Sequence, residues 1–246
     1  MMAHDTLFTV DDITVKYDKL TALEHVHFDV KRGDFIAVVG VNGSGKTTLA
    51  KSILKLLKLN KGRIVWHHET KIGYLPQHAG LENRHFPATV FEVVSAGLLK
   101  DKPFPKWLQK SDKKIINETL ALFDIEKLAN KRIGSLSGGQ QQRALLARSM
   151  VMSPDVLILD EPTSALDQAS RGKFMDVIKQ LNQEKKLTIL MITHDVAGVE
   201  GYAARVLYLE KHLLFDGSFD KFCETQPFSP YIHTHETRFI KEGEAK

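Results

Sequence analysis

The run Gly40-Val41-Asn42-Gly43-Ser44-Gly45-Lys46-Thr47 constrains the fold of this chain more than any other feature. It fits the pattern G-x-x-x-x-G-K-[ST], a loop whose backbone N–H groups surround phosphate oxygens. An apolar run, Phe35-Ile36-Ala37-Val38-Val39, precedes it, and a helix-capable run, Thr48-Leu49-Ala50-Lys51-Ser52-Ile53-Leu54, follows. Strand, loop and helix in that order are the context the pattern needs to carry meaning. The glycines let the chain turn tightly and bring amides against a ligand without Cβ clashes. The helix start adds N–H groups with no intrahelical partner and a partial positive charge, both favourable to an anion. Lys46 is then placed to reach the β- and γ-phosphates of a nucleotide, and the Thr47 hydroxyl to reach Mg²⁺. Gly40, Asn42, Gly43, Ser44, Gly45 and Thr48 complete the expected phosphate-binding set.

The apolar pattern around the loop falls into three blocks. Residues 6–33 alternate apolar and polar (Leu7, Val10, Ile13, Val15, Val26, Phe28, Val30), as half-buried antiparallel strands do. Residues 34–77 hold the loop, its helix and two short strands, Gly62–Trp66 and Ile72–Leu75. From about 79 to 153 the period becomes helical. One helix begins at Thr89 after Pro87, and a second begins after the Pro103 and Pro105 breaks with Ser111 as its N-cap. Ile116, Leu120 and Phe123 form one apolar face of that second helix and read as core. From 154 the strand pattern returns in Val156–Leu159, Leu187–Ile192, Val206–Leu209 and Leu213–Phe215. Uninterrupted apolar strands between helices predict a parallel sheet covered on both faces. The expected fold is α/β: a P-loop NTPase core with a mostly parallel sheet over 1–78 and 154–246, with an N-terminal antiparallel β subdomain and a helical subdomain inserted at 79–153.

The chain has 34 basic and 30 acidic residues, a formal charge of +4. That excess suits an anionic ligand or a membrane-adjacent partner, and is too small to argue for nucleic acid. The single cysteine, Cys223, excludes an intrachain disulfide and points to a reducing compartment, with a partly buried, unreactive thiol as the expectation. The first residues show no charged region followed by an apolar stretch, so no secretory signal is expected. No apolar run reaches the length of a spanning helix, and any membrane role is expected to come through a partner.

The strand Val156–Leu159 ends in Asp160-Glu161. In a chain with a phosphate loop, a carboxylate at such a strand end holds Mg²⁺, usually through water; Asp160 takes that role. Glu161 is placed to orient and deprotonate the water that attacks the γ-phosphate.

Leu136-Ser137-Gly138-Gly139-Gln140 adds a further pattern. With it, the chain closely resembles the nucleotide-binding subunit of ATP-binding cassette (ABC) transporters over nearly its whole length. The pentapeptide is similar to the family's signature. Gln77, in Tyr74-Leu75-Pro76-Gln77, resembles the Q-loop. Pro162-Thr163-Ser164-Ala165-Leu166-Asp167 resembles the D-loop, and Ile192-Thr193-His194-Asp195 the switch-histidine segment. Tyr17 stands where the family places an aromatic that stacks on adenine.

The resemblance implies a mechanism. Two copies of the chain sandwich two ATP molecules head to tail, with Ser137, Gly138, Gly139 and Gln140 serving the nucleotide held by the other subunit. His194 would hydrogen-bond the γ-phosphate, Gln77 would touch Mg²⁺ or the attacking water, and Asp167 would act in the D-loop. The helical insert would receive a short coupling helix from a membrane permease, against the segment after Gln77 and Phe86, Pro87, Val90 and Phe91, apolar residues that read equally as internal core. The chain would then lie peripherally on the cytoplasmic face of the membrane, served indirectly by a solute-binding protein.

Within the family, the Tyr74-Leu75-Pro76-Gln77-His78 stretch, Phe86-Pro87-Ala88-Thr89-Val90 and the short C-terminal end look most like zinc and manganese importers. Zinc is the expected cargo and manganese, or another solute, the alternative. His233, His235 and Glu236 are zinc-ligand types without a closed ligand set, which reads as a solvated tail. A non-transport ABC ATPase acting on ribosomes or DNA would share every motif. It would be expected to carry two cassettes or a long coiled-coil insert, and neither is present in this sequence. A catalytically dead scaffold would be expected to lose Lys46, Glu161 or His194, and all three stand.

Overall fold

The computed structural model describes residues 5–77, 86–99, 102–104, 106–164 and 166–225. The chain divides into two compact units, Met1–His68 with Leu190–Lys246, and Glu69–Ile189.

In the first unit, β1 (Thr6–Tyr17) and β2 (Leu20–Lys31) form an antiparallel hairpin, and β4 (Lys61–Trp66) pairs antiparallel on the other side of β1. This is the antiparallel subdomain that the alternation predicts. Leu7, Phe8, Val10, Ile13 and Val15 of β1 and Leu23, Val26, Phe28 and Val30 of β2 are buried. Phe8 lies against Trp66 with ring centroids 4.4 Å apart. β3 (Phe35–Val39) is buried at all five positions and pairs in parallel with β8 (Arg205–Glu210). The phosphate loop leads from β3 into α1 (Lys46–Ile53).

β9 (His212–Ser218) is the strand that makes the sheet mostly rather than wholly parallel: it pairs antiparallel with β8. Only Lys211 separates the two strands, at φ 59°, and a turn that short can join antiparallel strands but not parallel ones. The alternating exposed and half-buried residues of β9 are those of a strand with one wet face. α6 (Phe219–Glu224), capped by the Ser218 hydroxyl, buries Phe222 and leaves Cys223 exposed. The expected partly buried thiol is thus corrected: adjacent residues on a helix cannot share a face, and Phe222 takes the inward one.

In the second unit, β5 (Ile72–Leu75) pairs in parallel with β6 (Val156–Asp160). Between them run α2 (Val90–Leu99), α3 (Lys110–Leu122) and α4 (Gly138–Met150); α5 (Gln168–Lys185) follows β6. β7 (Thr188–Thr193), buried throughout, contains the division between the units. Thr89 caps α2 reciprocally with Glu92: the Thr89 N–H and hydroxyl donate to the carboxylate at 2.8 and 2.9 Å, and the Glu92 N–H donates back at 3.2 Å. α3 begins before the expected cap, Ser111. Gln109 is its N-cap, and the Asp112 carboxylate accepts the Gln109 N–H at 2.6 Å and the Lys102 ammonium at 2.6 Å. A carboxylate three residues in offers a charged acceptor to the first turn, which a serine hydroxyl one residue earlier does not match. Ile116, Leu120 and Phe123 are buried as expected. Ser149 at the end of α4 donates to the Tyr74 carbonyl at 2.9 Å, fixing α4 on β5.

Candidate functional site

The phosphate loop belongs to the first unit and is shaped by close approaches. A Cβ on Gly40 would stand 2.2 Å from the Leu209 carbonyl oxygen of β8, so only glycine fits beside that strand. Gly45 has φ 101°, and a Cβ there would stand 2.5 Å from the Ala22 carbonyl oxygen of β2. The Lys211 N–H donates to the Ser44 carbonyl at 2.9 Å, anchoring the loop to the β8–β9 turn. Lys46 is buried to 6 % exposure, and its ammonium donates to the carbonyls of Gly40 and Val41, both at 2.8 Å. Its charge is thereby drawn back along the loop.

The Ser44 hydroxyl is buried and has no hydrogen-bond partner among the described residues. Leaving a buried hydroxyl unpaired costs about 1–3 kcal/mol. An oxygen-rich anion seated in the loop would remove that cost, so the residues present fit a nucleotide phosphate. Thr47 and Thr48 are half-buried in the first turn of α1, and Val41, Asn42 and Gly43 are exposed. Tyr17 ends β1 at 45 % exposure. His194 follows β7 and is exposed; after it, the Asp195 N–H donates to the Thr193 hydroxyl at 3.0 Å and its carboxylate accepts the Gly198 N–H at 3.0 Å.

The second unit carries the carboxylates and the signature. β6 delivers Asp160 and Glu161 at 1 % and 8 % exposure. Tyr74, in parallel register with Ile158 across from β5, hydrogen-bonds Asp160. Burial, followed by the adjacent Asp160 charge and that hydrogen bond, pushes the Tyr74 phenol up to about 12, so it stays a donor. The Glu161 carbonyl accepts the Ser164 N–H at 3.3 Å and its hydroxyl at 3.0 Å. The Gln142 side-chain amide of α4 donates to the Pro162 carbonyl at 2.6 Å, tying the signature helix to the segment after Glu161.

Ser137 is the N-cap of α4, and Gln140 returns its side-chain carbonyl to the Ser137 N–H at 3.2 Å. Ser137 and Gly138 are exposed at the start of the helix. Asp167 caps α5, accepting the Ser170 N–H at 2.8 Å and its hydroxyl at 3.1 Å, and these bonds lower its pKa. Gln77, just after β5, is exposed.

Of the expected permease surface, Val90 is fully buried and belongs to the core, because it opens α2 with its N–H bonded to the Lys131 carbonyl at 3.0 Å. Phe86 and Phe91 are half-buried and Pro87 is exposed. His78, the rest of 78–85, Ala165, His233, His235 and Glu236 lie outside the described residues. Among the described residues no group of three or more histidine, cysteine or carboxylate side chains is placed to hold a metal ion. The Thr47 hydroxyl of the first unit and the Asp160 carboxylate of the second are each a ligand type that suits Mg²⁺, which keeps several waters and shares its shell with phosphate oxygens. Sequence reasoning missed Tyr74 and Gln142. Tyr74 acts through strand register and Gln142 through a tertiary contact, neither of which leaves a local pattern.

A family profile for ABC transporters matches residues 23–164. The zinc uptake system ATP-binding protein ZurA of Listeria innocua is 40 % identical over 220 residues, spanning 86 % of each chain. The manganese transport system ATP-binding protein MntB of Halalkalibacterium halodurans is 34 % identical over 213 residues, spanning 85 % of this chain and 84 % of the relative. Among solved structures, a metal-chelate type ABC transporter in an inward-facing conformation superposes with a TM-score of 0.84 at 27 % identity, covering 93 % of this chain and 89 % of that one.

Proposed function

The chain belongs to the ABC transporter family of ATP-binding proteins, and on that premise we propose that it is the motor subunit of a divalent-metal importer, with zinc as cargo. It binds and hydrolyses ATP. The observation that carries the nucleotide site is the buried Ser44 hydroxyl, without a partner among the described residues, beside the withdrawn Lys46 ammonium, a cradle that a phosphate completes.

Lys46, Ser44, Thr47, Thr48 and the amides of Gly40, Asn42, Gly43 and Gly45 bind the phosphates, and Tyr17 stacks on the adenine. Thr47, Gln77 and Asp160 hold Mg²⁺, which when bound neutralises charge on the phosphate oxygens. Glu161 takes the proton of the attacking water, and His194 hydrogen-bonds the γ-phosphate. Ser137, Gly138, Gly139 and Gln140, with Asp167, serve the nucleotide of a second copy, so ATP holds two chains together. Among the described residues no helix is long and apolar enough to cross a membrane. The chain therefore works peripherally on a separate permease, fed by a solute-binding protein. The 40 % identity to a zinc uptake subunit supports zinc, and the 34 % identity to a manganese transport subunit supports manganese as the second reading.

Glu161→Gln tests both levels. It is expected to lower ATP turnover by ~10²–10⁴-fold while retaining ATP binding, and to run as a dimer on size exclusion with ATP and Mg²⁺. A monomer under those conditions refutes the sandwich, and turnover near that of the native chain refutes the role of Glu161. In cells under mild chelation, the same variant is expected to lower total zinc selectively. A selective fall in manganese replaces the cargo, and no change in either metal overturns metal import.

A further inference from the structure

Among the described residues between α2 and α3, Phe104 and Trp107 mark a surface that ATP hydrolysis does not use. Phe104 is 93 % exposed and Trp107 74 % exposed, more than any other large apolar side chain among the described residues. Single exposed apolar residues are ordinary on a folded surface. Two exposed aromatics three positions apart, Phe104 between two prolines and Trp107 directly after Lys106, are a different pattern. Residues 102–114 hold five lysines (Lys102, Lys106, Lys110, Lys113, Lys114) against one acid, Asp112. The stretch stays net positive even when Asp101, directly before it, is counted. The single acid is already committed, since Asp112 pairs with Lys102 at 2.6 Å and caps α3. Lys110, Lys113 and Lys114 in the first turns of α3 are exposed, and the same helix exposes Ile115 and Leu122, seven positions apart on one face.

We propose that Phe104, Trp107 and the lysines at the start of α3 form a docking surface for the anionic headgroup layer of a phospholipid membrane. Phenylalanine and tryptophan side chains enter the boundary between headgroups and acyl chains, and lysines meet the negative surface potential. A bilayer offers both complements at once, anionic charge above an apolar layer. The surface gives the peripheral chain a membrane contact of its own, independent of the nucleotide site.

The test is cosedimentation of the full chain with vesicles of phosphatidylcholine alone and with vesicles containing phosphatidylglycerol. Binding is expected only to the anionic vesicles and is expected to weaken with salt. Phe104→Ser/Trp107→Ser should reduce it roughly tenfold or more, because the apolar insertion is lost. Lys110→Glu/Lys113→Glu should reduce it by about fivefold or more for each lysine removed. Both variants alter exposed side chains and should keep the ATPase rate of the native chain. In a Trp66→Phe background Trp107 is the only tryptophan, and its emission should shift to the blue on anionic vesicles. Equal binding to both vesicle types, undiminished binding by the serine variant, or loss of exposed Trp107 emission on self-association without lipid would each overturn the proposal. A permease that takes up the chain through Phe104 and Trp107 while lipid does not would assign the surface to protein instead.

Discussion

Two helical glycines that look alike in the sequence should respond oppositely to the same change, Gly→Ala. Gly97 lies inside α2 where that helix meets α4: a Cβ there would stand 2.3 Å from the Arg148 carbonyl oxygen and 2.7 Å from Val151 Cγ1. The nearer atom is backbone and cannot rotate away. Restoring an ordinary carbon–oxygen contact requires α2 to retreat by about 1 Å. That retreat would loosen the packing of Val93, Val94 and Leu98, all buried on α2. Alanine gains about 1 kcal/mol of helix propensity over glycine, while forced overpacking costs about 1–3 kcal/mol. Clash with a fixed carbonyl puts the cost in the upper part of that range, so the net loss should be about 1–2 kcal/mol. Gly172, inside α5, has nothing among the described residues within 4 Å of its hypothetical Cβ and keeps only the propensity gain, about 1 kcal/mol of stabilisation. At roughly 2–4 °C per kcal/mol for a chain of this size, Gly97→Ala should lower Tm by about 2–8 °C and Gly172→Ala should raise it by about 2–4 °C. Thermal unfolding of the two variants beside the native chain decides the matter. A Tm for Gly97→Ala at or above the native value would refute the close packing of α2 on α4.

The first turns of three helices in the second unit rest on carboxylates whose pKa values are lowered by backbone or side-chain donors: Glu92 by Thr89, Asp112 by Lys102 and Gln109, and Asp167 by Ser170. A depressed carboxylate stabilises the fold fully above its unfolded value, here 4.5 or 3.8, and that contribution disappears as pH falls through the lower folded value. Urea midpoints should therefore drop on acidification from about pH 6 to about pH 3, and Glu92→Gln/Asp112→Asn/Asp167→Asn should flatten the drop; an unchanged profile in the triple variant would contradict the assignment. Tyr74→Phe keeps the ring and removes a donor to Asp160, and should lower stability by about 1–2 kcal/mol in urea unfolding. Indistinguishable curves would mean that the phenol contributes nothing to holding Asp160.

The local chemistry of the fold was readable, and the tertiary contacts were not. β1 and β2 show their pairing in alternation, and β3, β6 and β7 show their burial as short unbroken apolar runs. The phosphate loop is legible because glycine, lysine and threonine each do something there that few residues can do. The errors share a cause. Ser111 resembles a cap, but Asp112 supplies a charged acceptor that starts α3 earlier. β9 reads like one more core strand, and only its one-residue link to β8 makes it antiparallel. The residue type of Cys223 suggests partial burial, whereas Phe222 decides which way α6 faces. Val90 reads equally as a docking residue and as core in the sequence, and its place at the start of α2 makes it core. Gly97 and Gly172 carry the same letter, and only the neighbouring helix tells them apart.

Backbone conformation adds an argument that composition cannot supply. Nine non-glycine residues among those described have positive φ, and Glu161, at φ 50°, is the buried one; the other eight are exposed. Left-handed backbone costs a residue with a Cβ roughly 1–2 kcal/mol. At an exposed turn such as Asp18 or Lys211 the cost accompanies a reversal of chain direction that any compact fold needs. At Glu161 it falls on the residue directly after a fully buried strand. An extended Glu161 would alternate with Asp160 and face the opposite side of β6. The left-handed conformation breaks that alternation, and the bonds from Ser164 to the Glu161 carbonyl and from Gln142 to the Pro162 carbonyl hold it in place. Strain maintained by surrounding bonds at a buried carboxylate is what a positioned base requires. Glu161→Gly should thus be nearly neutral in stability, since relief of strain offsets the entropy that glycine adds to the unfolded chain, while ATP turnover collapses. Unfolding midpoints and steady-state hydrolysis measured on the same preparation separate the two. A large stability loss would show that the carboxylate of Glu161 serves the fold, and turnover close to native would remove it from the chemistry.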